Sequence, residues 1–173
     1  MWRELYRLTQ NYFEIFGLPM AYLIDSDSLN KNYRLIQKSV HPDRFISATE
    51  VEKQQSLIKS TQVNDAYQTL KDPVKRAAYL IGLHYDQDET SLPPEFLMQQ
   101  MEWEEELEEC SDEPKMQSLF NRIAIEKKTI EEYLQIALNK KDWGLSLGML
   151  GKLKFLTSLS VKIQQKIFLM DNS

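Results

Sequence analysis

An all-α fold is predicted by three features of the sequence. Apolar residues recur at three- and four-residue intervals almost throughout, β-branched alternation is scarce, and only five glycines and six prolines punctuate 173 residues. With 42% apolar and 10% aromatic residues, the chain can build cores for one or two compact domains.

Tyr12-Phe13-Glu14-Ile15-Phe16 reads as a short first helix, stopped by Gly17 and Pro19. A second runs from about Asp27 to Val40, with Leu29, Tyr33, Ile36 and Val40 spaced for one buried face and Asp25 or Asp27 near its N-cap. Pro42 disfavours helical geometry at His41, so that helix stops and His41-Pro42-Asp43 lies in a loop. Ser47-Ala48-Thr49-Glu50 has capping-box spacing and opens a third helix carrying Val51, Ile58, Val63, Ala66, Tyr67 and Leu70. Asp72-Pro73 is an N-cap with proline at the first helical position, opening a fourth helix through Tyr79, Leu80 and Leu83. The polar stretch from Tyr85 to Pro94 reads as a linker. The expected organisation is therefore a four-helix domain over residues 11–84, a linker over 85–94, and an antiparallel three-helix bundle over 95–173. The bundle helices cover roughly Glu95–Cys110, Lys115–Asn139 and Trp143–Met170.

Several function classes are disfavoured. A net charge of −5 argues against general nucleic-acid binding, and no segment has the length and apolarity of a membrane span. The N-terminal stretch Met1 to Gln10 lacks the apolar run of a secretory signal, so a soluble, cytoplasmic protein is expected. Cys110, the lone cysteine, allows neither a disulfide framework nor a thiol zinc site; it reads as a small core residue in a reducing compartment. His41 and His84 have no evident nucleophile or metal-ligand set to join them, so neither an enzyme nor a metal or cofactor requirement is expected.

Two patterns remain. Lys31, Arg34 and Lys38 are three and four residues apart, forming one basic stripe on the helix that leads into His41-Pro42-Asp43. The residues alone also admit a plainer reading, with Pro42 a helix stop, Asp43 bonded to nearby backbone, and the stripe a solvated surface. From Glu95 to Glu113 there are nine carboxylates and no Lys or Arg, with like-charge i, i+4 pairs that each cost the helix a few tenths of a kcal/mol. At about 100° per residue, Phe96, Trp103, Leu107 and Cys110 face a core, whereas Leu97, Met98 and Met101 fall roughly opposite, beside Glu102, Glu105, Glu108 and Glu109. Large apolar side chains among carboxylates suggest a protein contact site, and the alternative is packing on the first domain or linker. In the last helix Leu153, Leu156, Leu159, Ile163 and Ile167 form the buried stripe, with Phe155 about 100° away.

The triplet between a basic helix and a capped helix resembles the J domain of the DnaJ family over about residues 11 to 84, with Val40 for the common Tyr and Arg44 for the common Lys on either side. That resemblance implies that His41, Pro42, Asp43, Lys31, Arg34 and Lys38 contact an ATP-bound heat-shock chaperone and promote its hydrolysis of nucleotide. A narrower resemblance spans nearly the whole chain. Tyr12-Phe13 through Phe16-Gly17-Leu18-Pro19, Arg76-Ala77-Ala78-Tyr79-Leu80, Phe96-Leu97-Met98, Glu105-Glu106-Leu107 and Lys152-Leu153-Lys154-Phe155-Leu156 resemble, in order, the HscB family of iron–sulfur co-chaperones. It implies an L-shaped adaptor between a HscA-type ATPase chaperone and the scaffold IscU, held by Leu97, Met98, Met101, Glu102, Glu105, Glu109 and Phe155. Met101 stands where that family usually has Leu, and a J protein serving a different client remains the alternative. Gly144, Gly148 and Gly151 are unexpected in a helix and suggest that its start is weak or closely packed.

Overall fold

The computed structural model describes residues 11–86 and 92–171, and among these every regular element is a helix. Most of the predicted linker, residues 87–91, and the N-terminal stretch Met1 to Gln10 lie outside the described residues. The chain divides into two compact units, one through Leu80 and one from Ile81. No described helix is long and apolar enough to cross a membrane.

In the first unit α1 (Tyr12–Ile15) is capped by Asn11, whose side chain accepts the Glu14 N–H. It ends at Gly17, whose φ of 62° lets Leu18 N–H reach the Phe13 carbonyl. Asp25 caps α2 (Ser26–Val40), and bonds donated by the Ser28 side chain and by the Ser28 and Asp27 backbone hold its carboxyl below the usual range. A 3-10 turn over Pro42–Phe45 leads to α3 (Glu50–Lys71). The capping box there is Thr49 with Glu52, not Ser47 with Glu50. Both pairs have the required spacing, but Ala48 N–H still bonds to Phe45 O, so the turn extends past Ser47 and Thr49 is the first extended residue. Asp72 then accepts the Lys75 N–H at the start of α4 (Pro73–Gly82). The core gathers Phe13, Phe16, Tyr22, Leu29, Val63, Ala66, Leu70, Ala77 and Leu80. Tyr33, Ile36 and Val40 are only half-buried, and Val51 and Ile58 are exposed, so the apolar face of the α2–α3 pair is narrower than the pattern suggests.

That pair is antiparallel and held by side-chain hydrogen bonds along its length. Tyr67 Oη donates to Asn30, Tyr33 Oη to Asn64, Ser60 Oγ to Gln37, and the Tyr33 and Tyr67 rings stack 3.9 Å apart. Arg76 closes the unit: its buried guanidinium donates to the Leu70 carbonyl at 2.6 Å and lies 5.2 Å from the Tyr22 ring centre.

The second unit is built on α6 (Glu113–Asn139) and α7 (Trp143–Asp171). Met116, Leu119, Ile123, Ile130, Leu134 and Ala137 face Leu147, Leu150, Leu153, Leu156, Leu159 and Ile163. The helix α5 (Pro94–Glu109) adds Phe96, Trp103 and Leu107 to that core, as its pattern predicts. Cys110 follows α5 only half-buried, its thiol directed to the Asp112 carbonyl, rather than in the core. Ile167 is likewise only half-buried. The helix α7 is unbroken through its glycines. At Gly151 the reason is close packing, since a Cβ would lie 3.0 Å from Leu92 Cδ2.

Between α6 and α7, Lys141 adopts φ 58°, with Asp142 N–H bonding to Ala137 O and Lys141 N–H to Leu138 O. A side chain pays a steric cost in this conformation that glycine avoids. Lys141→Gly is therefore expected to stabilise the protein by about 0.5–1 kcal/mol, read as a raised denaturant midpoint with unchanged slope.

Candidate functional site

His41 is at once the C-cap of α2 and the N-cap of the 3-10 turn, with extended backbone (φ −63°, ψ 131°) as Pro42 requires. Its Nδ1 accepts the Asp43 N–H at 3.3 Å and lies 3.5 Å from Asp43 Oδ2. Accepting at Nδ1 leaves the proton of the neutral ring on Nε2. Both side chains are exposed. Three bonds tie the loop to its supports: Arg44 N–H to His41 O at 3.0 Å, Arg44 Nη1 to Lys38 O at 3.1 Å, and Ser56 Oγ to Val40 O at 2.7 Å. The last two satisfy carbonyls that end α2 without helical partners. Lys31, Arg34 and Lys38 are exposed on α2, upstream of this turn, with the exposed Leu35 among them.

In the second unit Leu97, Met98 and Met101 are 44%, 65% and 70% exposed, and Glu102, Glu105 and Glu109 are exposed on the same helix. The structure sorts the carboxylates that look alike in sequence. Glu106 pairs with Arg122 of α6, a bond that raises the Arg122 pKa, and Glu104 pairs with Lys162 of α7 at 2.9 Å. Lys166 donates to the Leu107 and Glu108 carbonyls, supplying the cation that the last turn of α5 lacks. Glu102 accepts from Gln99 at 2.9 Å, and among the described residues no ion pair involves Glu102, Glu105 or Glu109. Phe155 is half-buried, stacked 6.3 Å from Trp103 and edge-on to Phe96 at 6.0 Å, so α7 brings it to α5 by way of the core face. Lys152 lies 5.0 Å above the Phe96 ring.

Sequence reasoning missed Ser56, which is polar, mid-helix and 16 residues from its acceptor, and it treated Arg44 only as a replacement of like charge. It also gave no place to Leu35. No local pattern marks Ser56; for Leu35 the signal is present, because at i+4 from Lys31 and i−3 from Lys38 it falls in the basic stripe.

A loop triplet held between a basic helix and a capped helix, followed by a separate three-helix unit, defines a two-domain J-domain protein. The DnaJ domain family matches residues 11–79, and the HSCB C-terminal oligomerisation domain family matches residues 92–164. The co-chaperone protein HscB homolog of Vibrio cholerae is 36% identical over 163 residues, 90% of this chain and 95% of that relative. The homolog of Photobacterium profundum is 38% identical over 164 residues, with the same coverage. The solved structure of chaperone HscB from Vibrio cholerae superposes with a TM-score of 0.84 at 37% identity, covering 91% of this chain and 97% of that one. Human co-chaperone protein HscB gives 0.88 at 29% identity, covering 92% and 83%. The chain belongs to the HscB co-chaperone family.

Because Ser56 is buried and bonds a backbone carbonyl that would otherwise lack a partner there, Ser56→Ala should cost about 1 kcal/mol of stability in urea denaturation. Amide exchange should also speed up locally at His41, Asp43, Arg44 and Phe45.

Proposed function

We propose that this chain delivers an IscU-type iron–sulfur scaffold to a HscA-type heat-shock ATPase chaperone and stimulates that partner's ATP hydrolysis. The observation that carries the reading is the presence of two solvent-facing surfaces of opposite charge, one in each unit. His41, Pro42 and Asp43, with Lys31, Arg34 and Lys38, are the ATPase-docking set, and hydrolysis belongs to the partner. The cations steer the chain to an acidic surface, while Asp43 and the Nε2–H of His41 offer an acceptor and a donor from a turn already fixed by its own hydrogen bonds. Pre-ordering of that kind reduces the entropy lost on docking.

The scaffold set is Leu97, Met98, Met101, Glu102, Glu105, Glu109 and Phe155. Apolar side chains at its centre lose their contact with water on binding, and the glutamates without an ion pair select a basic rim on the partner. The carboxylates paired within the bundle, Glu104 and Glu106, are not counted in this set. The protein needs no metal or cofactor of its own for either contact, and a reducing cytoplasm suits the lone thiol.

His41→Gln should abolish stimulation of a HscA-type ATPase in single-turnover assays while leaving the melting temperature unchanged. Unchanged stimulation would refute the docking assignment. Leu97→Ala combined with Met98→Ala should weaken IscU binding by on the order of 100-fold in calorimetry, with helix content preserved. Full ATPase stimulation without any affinity for IscU in the parent chain would assign the second surface to a different client.

A further inference from the structure

The basic face of α2 is not uniformly polar. Leu35 stands in the stripe of Lys31, Arg34 and Lys38 and is 58% exposed. Four other apolar residues of this helix, Leu29, Tyr33, Ile36 and Val40, are buried or half-buried toward α3 or the core, so Leu35 alone turns a large aliphatic side chain to solvent there. Lys31 and Lys38 lie one turn to either side of it and Arg34 adjoins it, with Asp27 and Asn30 toward the N-terminal end of the same helix. An isolated exposed leucine carries no message, but one set among three cations on one exposed stripe has the composition of a contact site, an apolar centre with charges around it.

We propose that Leu35 is an apolar anchor of the ATPase-docking face, and that it meets an apolar group surrounded by carboxylates on the chaperone. This rests on the docking role proposed above and extends it from six residues to a seventh with different chemistry. The occupant follows from charge complementarity and from continuity along α2 with the triplet. A phosphate backbone fits less well, because the exposed Asp27 lies on the same helix and Leu35 offers phosphate nothing. The two kinds of contact respond differently to salt: screening weakens the cation contacts, whereas burial of Leu35 is not screened.

The test is a titration of the full chain against a HscA-type ATPase, reading stimulated turnover at low salt and at high salt. Leu35→Ala should raise the half-saturating concentration about tenfold at both, and leave maximal stimulation and melting temperature unchanged. Leu35→Met should restore the half-saturating concentration. Arg34→Gln should show a defect that shrinks as salt rises. A Leu35→Ala titration that superimposes on the parent, while His41→Gln is inactive, overturns the anchor and leaves the docking role standing. Full activity of His41→Gln removes the docking role and the anchor with it. A drop in melting temperature for Leu35→Ala, or a lower maximum at an unchanged half-saturating concentration, also overturns the anchor.

Discussion

The antiparallel pairing of α2 and α3 is the contact on which the first unit depends, and it is largely polar. Asn30 with Tyr67, Tyr33 with Asn64, Gln37 with Ser60, and Val40 with Ser56 form rungs whose positions fall on one helix as they rise on the other. A purely apolar seam tolerates sliding by a turn, because leucine meets leucine equally well one step along. Donor and acceptor rungs do not, since a slip leaves each group without its partner; Ser56, the buried member, stands to lose about 1–3 kcal/mol and the more exposed rungs less. The pairing therefore fixes register, and register fixes the end of α2. Pro42 then has one position available, and the turn that carries the triplet starts where Ser56 and Arg44 already occupy the terminal carbonyls.

The second unit resolves a different conflict. An isolated helix with the sequence of α5 would be poor, with like charges four residues apart and no cation near its C-terminus. Its neighbours provide what it lacks: Arg122 and Lys162 each take one glutamate, and Lys166 takes the terminal carbonyls. These exposed pairs are individually weak. The three aromatic rings of Phe96, Trp103 and Phe155 supply the larger contribution, through area removed from water. What is left over is informative. Among the described residues no ion pair relieves Glu102, Glu105 or Glu109, and Leu97, Met98 and Met101 stay exposed. On the reading proposed above, this is the surface on which a partner would dock.

Element ends were legible in the sequence wherever a residue acts through its own backbone. Gly17, Asp25, Pro42 and Asp72-Pro73 each restrict or bond the chain within three residues, and the helices begin or end beside them. The start of α3 was less legible because Ser47 and Thr49 both satisfy the same local rule, and the length of the preceding turn decides between them. Burial on α5 followed from periodicity alone, since one helix projected about its axis separates Phe96, Trp103 and Leu107 from Leu97, Met98 and Met101. Val51 and Ile58 are exposed because, at about 100° per residue, both project well away from the Ser56, Val63, Ala66 and Leu70 face of α3. Long-range partners stayed hidden: nothing near Ser56, Arg122 or Lys166 in sequence indicates the backbone or carboxylate it meets.

On the proposed reading, two partner surfaces on one chain have an energetic consequence that neither surface has alone. If the chain holds a scaffold through α5, the scaffold is presented to the chaperone at an effective concentration set by covalent connection rather than by bulk abundance. Each contact can then be individually modest and reversible, which suits small patches such as these: three apolar residues with a few glutamates, and one turn with a few cations. Tight binding at either face would slow the release on which repeated delivery depends. On that reading the opposite charges of the two faces would serve the same end, because an acidic face and a basic face favour different partners and discourage each from occupying the other's site.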